Sequence, residues 1–190
     1  MGKIFTSLGL MSGTSGDGVD ASVINSDGID YYKEIHNNYF KFDQKISENL
    51  HNLKGKILRL EDLKKNDKEI YSLEKEITLF HAKITRVILE TVNKNIDLIG
   101  FHGQTIYHNP KNKMSIQLGD AVLLSKTINK PVIFNFRKND LTHGGQGAPL
   151  APIYHKLIIE KLNLELPCCI LNIGGVSNIT YWDGNNLIGF

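Results

Sequence analysis

Leu8-Gly-Leu-Met-Ser-Gly-Thr-Ser-Gly-Asp-Gly-Val-Asp20 is the stretch on which the reading of this chain depends. Before its centre, Ile4 to Met11 form an apolar run with β-branched and aromatic members, and an apolar run resumes from Val19 to Asn25. The polar centre is therefore expected to be a turn between two paired strands. Gly13, Gly16 and Gly18 lack a Cβ, so the backbone there can take positive φ and approach a ligand closely, while Thr14 and Ser15 add hydroxyl donors. Such a turn can offer several N–H groups to a phosphate. Asp17, an anion, would repel a phosphate but is suited to a magnesium ion, or that ion's waters, beside one. An ordinary Gly/Ser/Asp hairpin turn has the same composition, and the residues alone leave both readings open.

Downstream, Tyr31 to Phe40 is strand-like and is joined to the second strand by Ser26-Asp-Gly-Ile29, a hairpin signal. The first forty residues should thus form a three-stranded antiparallel meander. Asp43 is placed to cap a helix containing Ile46, Leu50 and Leu53, with Gly55 at its end. A longer helix follows, with Leu73, Ile77, Phe80, Ile84 and Val87 along one face and the lysines Lys64, Lys65 and Lys68 as solvated charges. Ile96 to Phe101 reads as a short buried strand whose C-terminal end opens into His102-Gly-Gln-Thr105, the place where ligands gather in open α/β sheets. Met114 to Leu118 is expected as a strand, Asp120 as the cap of a helix from Ala121 to Ile128, and Pro131 to Phe136 as another strand.

Arg137-Lys-Asn-Asp140 then leads into Thr142-His-Gly-Gly-Gln-Gly-Ala-Pro149 and a helix from Leu150 to Leu162. This loop either faces an anion at a helix N-terminus or merely lets the chain turn tightly. Cys168 to Ile173, Gly174-Gly175, Val176 to Trp182, Asp183-Gly184 and Leu187 to Phe190 repeat the opening pattern of strand, glycine turn, strand, Asp-Gly and strand. Three such strands without a covering helix would leave an apolar sheet face exposed.

Across 190 residues the net charge is +2 with both signs interspersed, which argues against nucleic acid or a membrane surface as partner. No stretch is apolar enough to span a bilayer and the amino terminus lacks a signal-peptide pattern, so a cytoplasmic protein is expected. The two cysteines, Cys168 and Cys169, are neighbours whose side chains would point to opposite faces of a strand; they are read as buried and unbridged.

Five segments together resemble the anhydro-N-acetylmuramic acid kinase family. They are Gly9 to Asp20, His102-Gly-Gln-Thr105, Gln117-Leu-Gly-Asp120, Gly144-Gly-Gln-Gly-Ala-Pro149 and Asn172-Ile-Gly-Gly-Val-Ser-Asn178, in the family's order along the whole chain. The resemblance implies an α/β, actin-like ATPase (ribonuclease H-like) fold, as in sugar kinases, actin and Hsp70. Two duplicated domains clamp ATP in that group. Here it implies a complete first domain over residues 1–131 and the first strands of a truncated second domain over 132–190.

The resemblance also implies a reaction: 1,6-anhydro-N-acetylmuramic acid, ATP and water give N-acetylmuramic acid 6-phosphate and ADP during cell-wall recycling. ATP would be held by Gly13, Thr14, Ser15, Gly16, Asp17, Gly18, Val19 and Asp20, and by Gly174 and Gly175 in the matching turn, with Mg2+ near Asp17. His102, Gln104 and Arg137 are candidate contacts to the sugar, although a structural role suits each as well. Asp140 is a base by chemistry alone, but the family places its catalytic Asp immediately after a Gly-Phe pair. That position would follow Phe190, so no catalytic base is expected within these residues.

The expected protein is thus the N-terminal part of a kinase, inactive alone, with a separate C-terminal half as possible partner and a family-like homodimer as a further possibility. The alternative is a non-catalytic remnant, or a binding or dimerisation module, of a degraded kinase gene. Two departures from the family pattern stand out. Gly16 replaces a usual Leu and should loosen the turn by roughly 0.5–1 kcal/mol through glycine's entropy, and Asn135 replaces a usual Asp. The remaining histidines have no metal-site spacing.

Overall fold

The computed structural model describes residues 2–190 and has a mixed α/β architecture in two compact units. One unit runs up to His108 and includes Ile116–Asn135; the other comprises Asn109–Ser115 and Phe136–Phe190.

In the first unit, β1 (Phe5–Ser12), β2 (Gly18–Ser26) and β3 (Tyr32–Lys41) form the expected antiparallel meander. Leu8, Leu10 and Ser12 alternate with exposed or half-buried residues, as do Val19, Ala21 and Val23, so one face of this sheet is apolar and covered. The chain then makes a long helical crossover: α1 (Gln44–Lys56), α2 (Leu60–Lys65) and α3 (Asp67–Val92). It returns as β4 (Leu98–Asn109), which lies parallel to β1. Ile46, Leu50 and Leu53 of α1 and Leu73, Ile77, Ile84 and Ile88 of α3 close over the sheet to make the core. The Asp43 carboxylate accepts from the Ile46 N–H, the cap read from sequence.

The sheet continues through β5 (Met114–Leu118) beside β4, giving the order β3-β2-β1-β4-β5, while β6 (Val132–Ile133) also pairs with β4 in parallel. Between β5 and β6 lies α4 (Ala121–Ile128), capped by Asp120 through the Leu123 N–H.

The second unit contains α5 (Phe136–Thr142), α6 (Pro152–Lys161) and the antiparallel sheet β7 (Cys168–Asn172), β8 (Asn178–Trp182) and β9 (Leu187–Gly189). This is the opening meander in miniature. Asp27 Oδ1 gathers the N–H groups of Ile29, Asp30 and Tyr31, and Asp183 Oδ1 gathers those of Asn185 and Asn186. In α6, His155 Nδ1 meets Thr180 Oγ1 at 2.7 Å and the Lys156 ammonium sits 4.5 Å from the Trp182 ring centroid, so α6 covers one sheet face.

Several sequence expectations are corrected. The strand from Ile96 does not end at Phe101: β4 runs on to Asn109, because a bulge at His102 and Gly103 absorbs the irregularity without breaking the strand. Pro131 to Phe136 is strand only at Val132 and Ile133, for Asn135 turns left-handed at φ 62° and α5 begins directly after it. Gly55 lies inside α1, whose end comes at Ile57. On α3 it is Ile88, not Val87, that reaches the core. Cys168 and Cys169 are unbridged as expected but not buried: Cys168 is half-buried and Cys169 exposed. The reason is local, since Leu171, Ile173, Val176 and Ile188 of the same sheet region are exposed with them.

Candidate functional site

The turn joining β1 to β2 is compact. Gly16 N–H donates to the Gly13 carbonyl at 3.1 Å, and Phe42 N–H donates to the Asp17 carbonyl at 2.9 Å, which ties the turn to the start of α1. The side chains of Thr14, Ser15, Asp17 and Asp20 are exposed, whereas Gly16, Gly18 and Val19 are buried. The turn therefore presents two hydroxyls and two carboxylates to solvent around a braced backbone. Desolvation, then the nearby carboxylates of Asp17 and Asp20, raise the Tyr39 phenol above its ordinary value, so these groups share one electrostatic environment.

Gly16 sits at φ +75°, where a Cβ would come 2.6 Å from Leu50 Cδ2 in the core. The expectation that this glycine loosens the turn is thus reversed, because the backbone conformation and the packed α1 both favour a residue with no side chain. Gly16→Ala is expected to lower stability by about 1–3 kcal/mol, from left-handed strain together with crowding of Leu50. A chemical-denaturation midpoint equal to that of the parent would refute this account of the turn.

Ser12 and Gln104 support the turn from below. Both are fully buried, and the strand bulge at His102 and Gly103 sets Gln104 opposite Ser12 across the parallel β1–β4 pair. Gln104 Nε2 donates to the Gly13 carbonyl at 2.9 Å. Ser12 Oγ lies 2.5 Å from Gln104 Oε1 and 2.9 Å from the Gly18 carbonyl, both acceptors for its single proton. One amide and one hydroxyl thereby sit against both ends of the glycine turn, and buried polar networks of this kind rigidify what they touch.

Of the three candidate sugar contacts, Gln104 is thus placed under the turn with its amide engaged by protein atoms. His102 is half-buried and donates from Nδ1 to the Gly103 carbonyl at 2.7 Å. Arg137 belongs to the second unit, where Nη1 donates to the Gly147 carbonyl at 2.8 Å, while Asp140 accepts from the Gly147 N–H at 2.7 Å. Burial lowers the Arg137 pKa from its ordinary value. These two charged residues of α5 brace the glycine-rich loop that follows it. Gly174 and Gly175 lie in the exposed segment between β7 and β8, whose ends are pinned by the Asn172–Asn178 pair.

Two contributors escape a reading of sequence alone. Ser12 is an inconspicuous serine at a strand end, and only the β4 bulge brings it a partner ninety-two positions away. No motif in the local sequence singles out Lys54, yet its ammonium donates to the Thr14 carbonyl at 2.5 Å. The one signal available was helical spacing: Lys54 stands four residues after Leu50, on the stripe that faces the turn.

The Gln117-Leu-Gly-Asp120 segment packs on α3. Asp120 N–H donates to Thr78 Oγ1 at 2.9 Å and Gly119 N–H donates to Glu74 Oε1 at 3.2 Å, so this motif is placed to fix the β5–α4 corner. Among the described residues no cluster of three His, Cys, Asp or Glu side chains is arranged to hold a metal ion by itself. No helix among them is long and apolar enough to cross a membrane.

The family model described as anhydro-N-acetylmuramic acid kinase matches residues 5–190. The chain is 54% identical over 180 residues to the anhydro-N-acetylmuramic acid kinase of Pelagibacter ubique, covering 95% of this chain and 48% of that protein. It is 36% identical to the protein of the same name from Agrobacterium fabrum, covering 100% of this chain and 52% of the relative. For the Bradyrhizobium diazoefficiens protein of that name the identity is 38%, with 97% and 51% covered. The chain therefore spans about half the length of the curated relatives it matches. With its motifs in order and its family match extending from β1 to Phe190, this chain belongs to the anhydro-N-acetylmuramic acid kinase family.

Proposed function

We propose that this chain forms the N-terminal part of a cytoplasmic, ATP-dependent kinase with an actin-like fold. Its reaction opens 1,6-anhydro-N-acetylmuramic acid with water and transfers the γ-phosphoryl of ATP to O6, giving N-acetylmuramic acid 6-phosphate and ADP in cell-wall recycling. The observation that supports this most is the braced glycine turn. Gly13, Thr14, Ser15, Gly16, Asp17, Gly18, Val19 and Asp20 receive the nucleotide phosphates, and Gly174 and Gly175 occupy the corresponding place in the second meander. A turn with exposed hydroxyls, held rigid by Ser12 and Gln104, is suited to phosphate oxygens because its donors need no rearrangement on binding.

Magnesium fits this site in a limited sense. Asp17 and Asp20 are exposed beside the turn, and Mg2+ is commonly held by one or two carboxylates together with phosphates and waters. Asp17 is the residue assigned to it, and the ion would neutralise phosphate charge. His102 and Arg137 are retained as candidate sugar contacts, whereas Gln104 is reassigned to support of the turn.

The water-activating carboxylate is assigned to the part of the family's length that these residues do not span. The exposed Leu171, Ile173, Val176 and Ile188 favour a complementing C-terminal polypeptide over an independent remnant, since they leave apolar surface for it to cover. In the test, the chain is purified alone and together with the C-terminal half of the Pelagibacter ubique relative, each with Mg-ATP and the anhydro-sugar. ADP release dependent on the sugar is expected only in the mixture. Failure of a folded, co-purifying mixture to turn over would remove the proposal.

A further inference from the structure

Position 16 and Lys54 occupy one piece of space. A Cβ on Gly16 would lie 3.6 Å from Lys54 Nζ as well as against Leu50, so a larger residue at 16 would compete with the lysine for room beside the turn. A larger side chain at this position would take that room, whereas here an ammonium extends from α1 to the turn. Thr14 carbonyl is its one hydrogen-bond acceptor among the described residues, although an ammonium has three donors. Lys54 is half-buried beside the turn, and this burial lowers its pKa from the ordinary value while the Asp17 carboxylate opposes the fall. Ser47 of the same helix reaches the Gly16 carbonyl at 3.4 Å, which holds α1 and the turn in register.

The turn otherwise presents carboxylates. Asp17 and Asp20 face solvent there, and two anionic side chains oppose the approach of a polyphosphate unless a cation stands with them. Magnesium is one such cation and arrives with the ligand. Lys54 is another and is part of the fold.

We infer that Lys54 is a phosphate-contacting residue of this chain, its ammonium bonding the Thr14 carbonyl with one proton and a nucleotide phosphate oxygen with another. The inference rests on the reading of residues 13–20 as a phosphate turn. Gly16 makes it possible, by leaving open the space into which Lys54 extends.

The test uses the full chain and two probes, magnesium-free tripolyphosphate and Mg-ATP, titrated calorimetrically into the parent and three variants. Lys54→Gln keeps an amide donor for the Thr14 carbonyl and removes the charge; Lys54→Arg keeps the charge; Lys54→Met removes both. Tripolyphosphate affinity is expected to fall roughly tenfold or more in Lys54→Gln and Lys54→Met, with unfolding midpoints unchanged, and to return to within about threefold of the parent in Lys54→Arg. Parent-like affinity in Lys54→Gln alongside weak binding in Lys54→Met would show that the lysine merely holds Thr14, and would overturn the inference. So would parent-like affinity in all three. If the folded parent binds neither probe, the phosphate-turn reading fails and the inference fails with it, an outcome distinct from a parent that binds while its variants do not differ.

Discussion

Gly103→Val is expected to destabilise the chain by about 3–5 kcal/mol, more than Gly16→Ala, because strain and a backbone collision act together at this position. Gly103 lies at φ +71°, and a Cβ on it would collide with the Leu118 carbonyl oxygen. That neighbour is backbone in the adjacent strand, so it cannot rotate aside as a side-chain tip would. Left-handed strain contributes roughly 1–2 kcal/mol and crowding roughly 1–3 kcal/mol, with the β-branched valine toward the upper end. The damage should extend beyond stability. Gly103 is the bulge that brings Gln104 opposite Ser12, so relieving the clash by straightening β4 would turn the Gln104 amide away from the Gly13 carbonyl. Urea unfolding followed by far-UV circular dichroism is the suitable measurement, because the single tryptophan, Trp182, reports on the second unit. A Gly103→Val protein with the parent's midpoint would show that the bulge is not under this constraint.

The second large effect is acid sensitivity arising from His81. This side chain is fully buried on α3, with its ring 4.9 Å from that of Phe101 and 6.4 Å from those of Phe42 and Phe80. Nδ1 donates to the Ile77 carbonyl at 2.8 Å, and Nε2 has no hydrogen-bond partner among the described residues. Burial is the main cause that lowers its pKa from 6.5 to about 4, the Ile77 hydrogen bond opposing and the charge of His102 adding to the fall. The unfolded chain therefore binds a proton near pH 6.5 that the folded chain refuses until near pH 4. Stability contributed at neutral pH is lost as the pH falls through this window, to a total of about 3 kcal/mol, and no further below it.

His81→Met should flatten that slope. The Ile77 carbonyl keeps its helical backbone donor in the variant, and methionine fills a similar volume among aromatic rings, so stability at neutral pH should change by less than about 1.5 kcal/mol. Denaturation midpoints of both proteins between pH 7 and pH 4 provide the comparison. Equal slopes would assign the acid sensitivity to other groups.

Much of the architecture was legible from local chemistry. The apolar runs on either side of the glycines marked paired strands, and spacing at Leu73, Ile77 and Ile84 marked the long helix. Asp43 and Asp120 marked helix starts because an N-cap acts through N–H groups only a few residues away. The internal repeat was equally local, each copy carrying its own Asp-Gly turn. For the same reason the glycine turn stands out in the sequence alone.

Where the sequence misled, the partners were far apart in the chain. His102-Gly-Gln-Thr105 looked like the end of a strand, since glycine and polar residues usually interrupt one; the pairing of β4 with β1 carried it onward as a bulge. Gly16 looked like a loosening departure, yet Leu50 and Lys54 pack against it. Cys169 looked buried because its neighbours are apolar, but burial depends on what covers a sheet face. By itself the sequence determined the opening meander and its repeat, the long helix, the Asp43 and Asp120 caps and the family. Only the tertiary structure decided that Ser12 and Gln104 brace the turn and that Lys54 reaches it, because those contacts arise from strand register and helix packing across dozens of residues, to which periodicity and turn chemistry are blind.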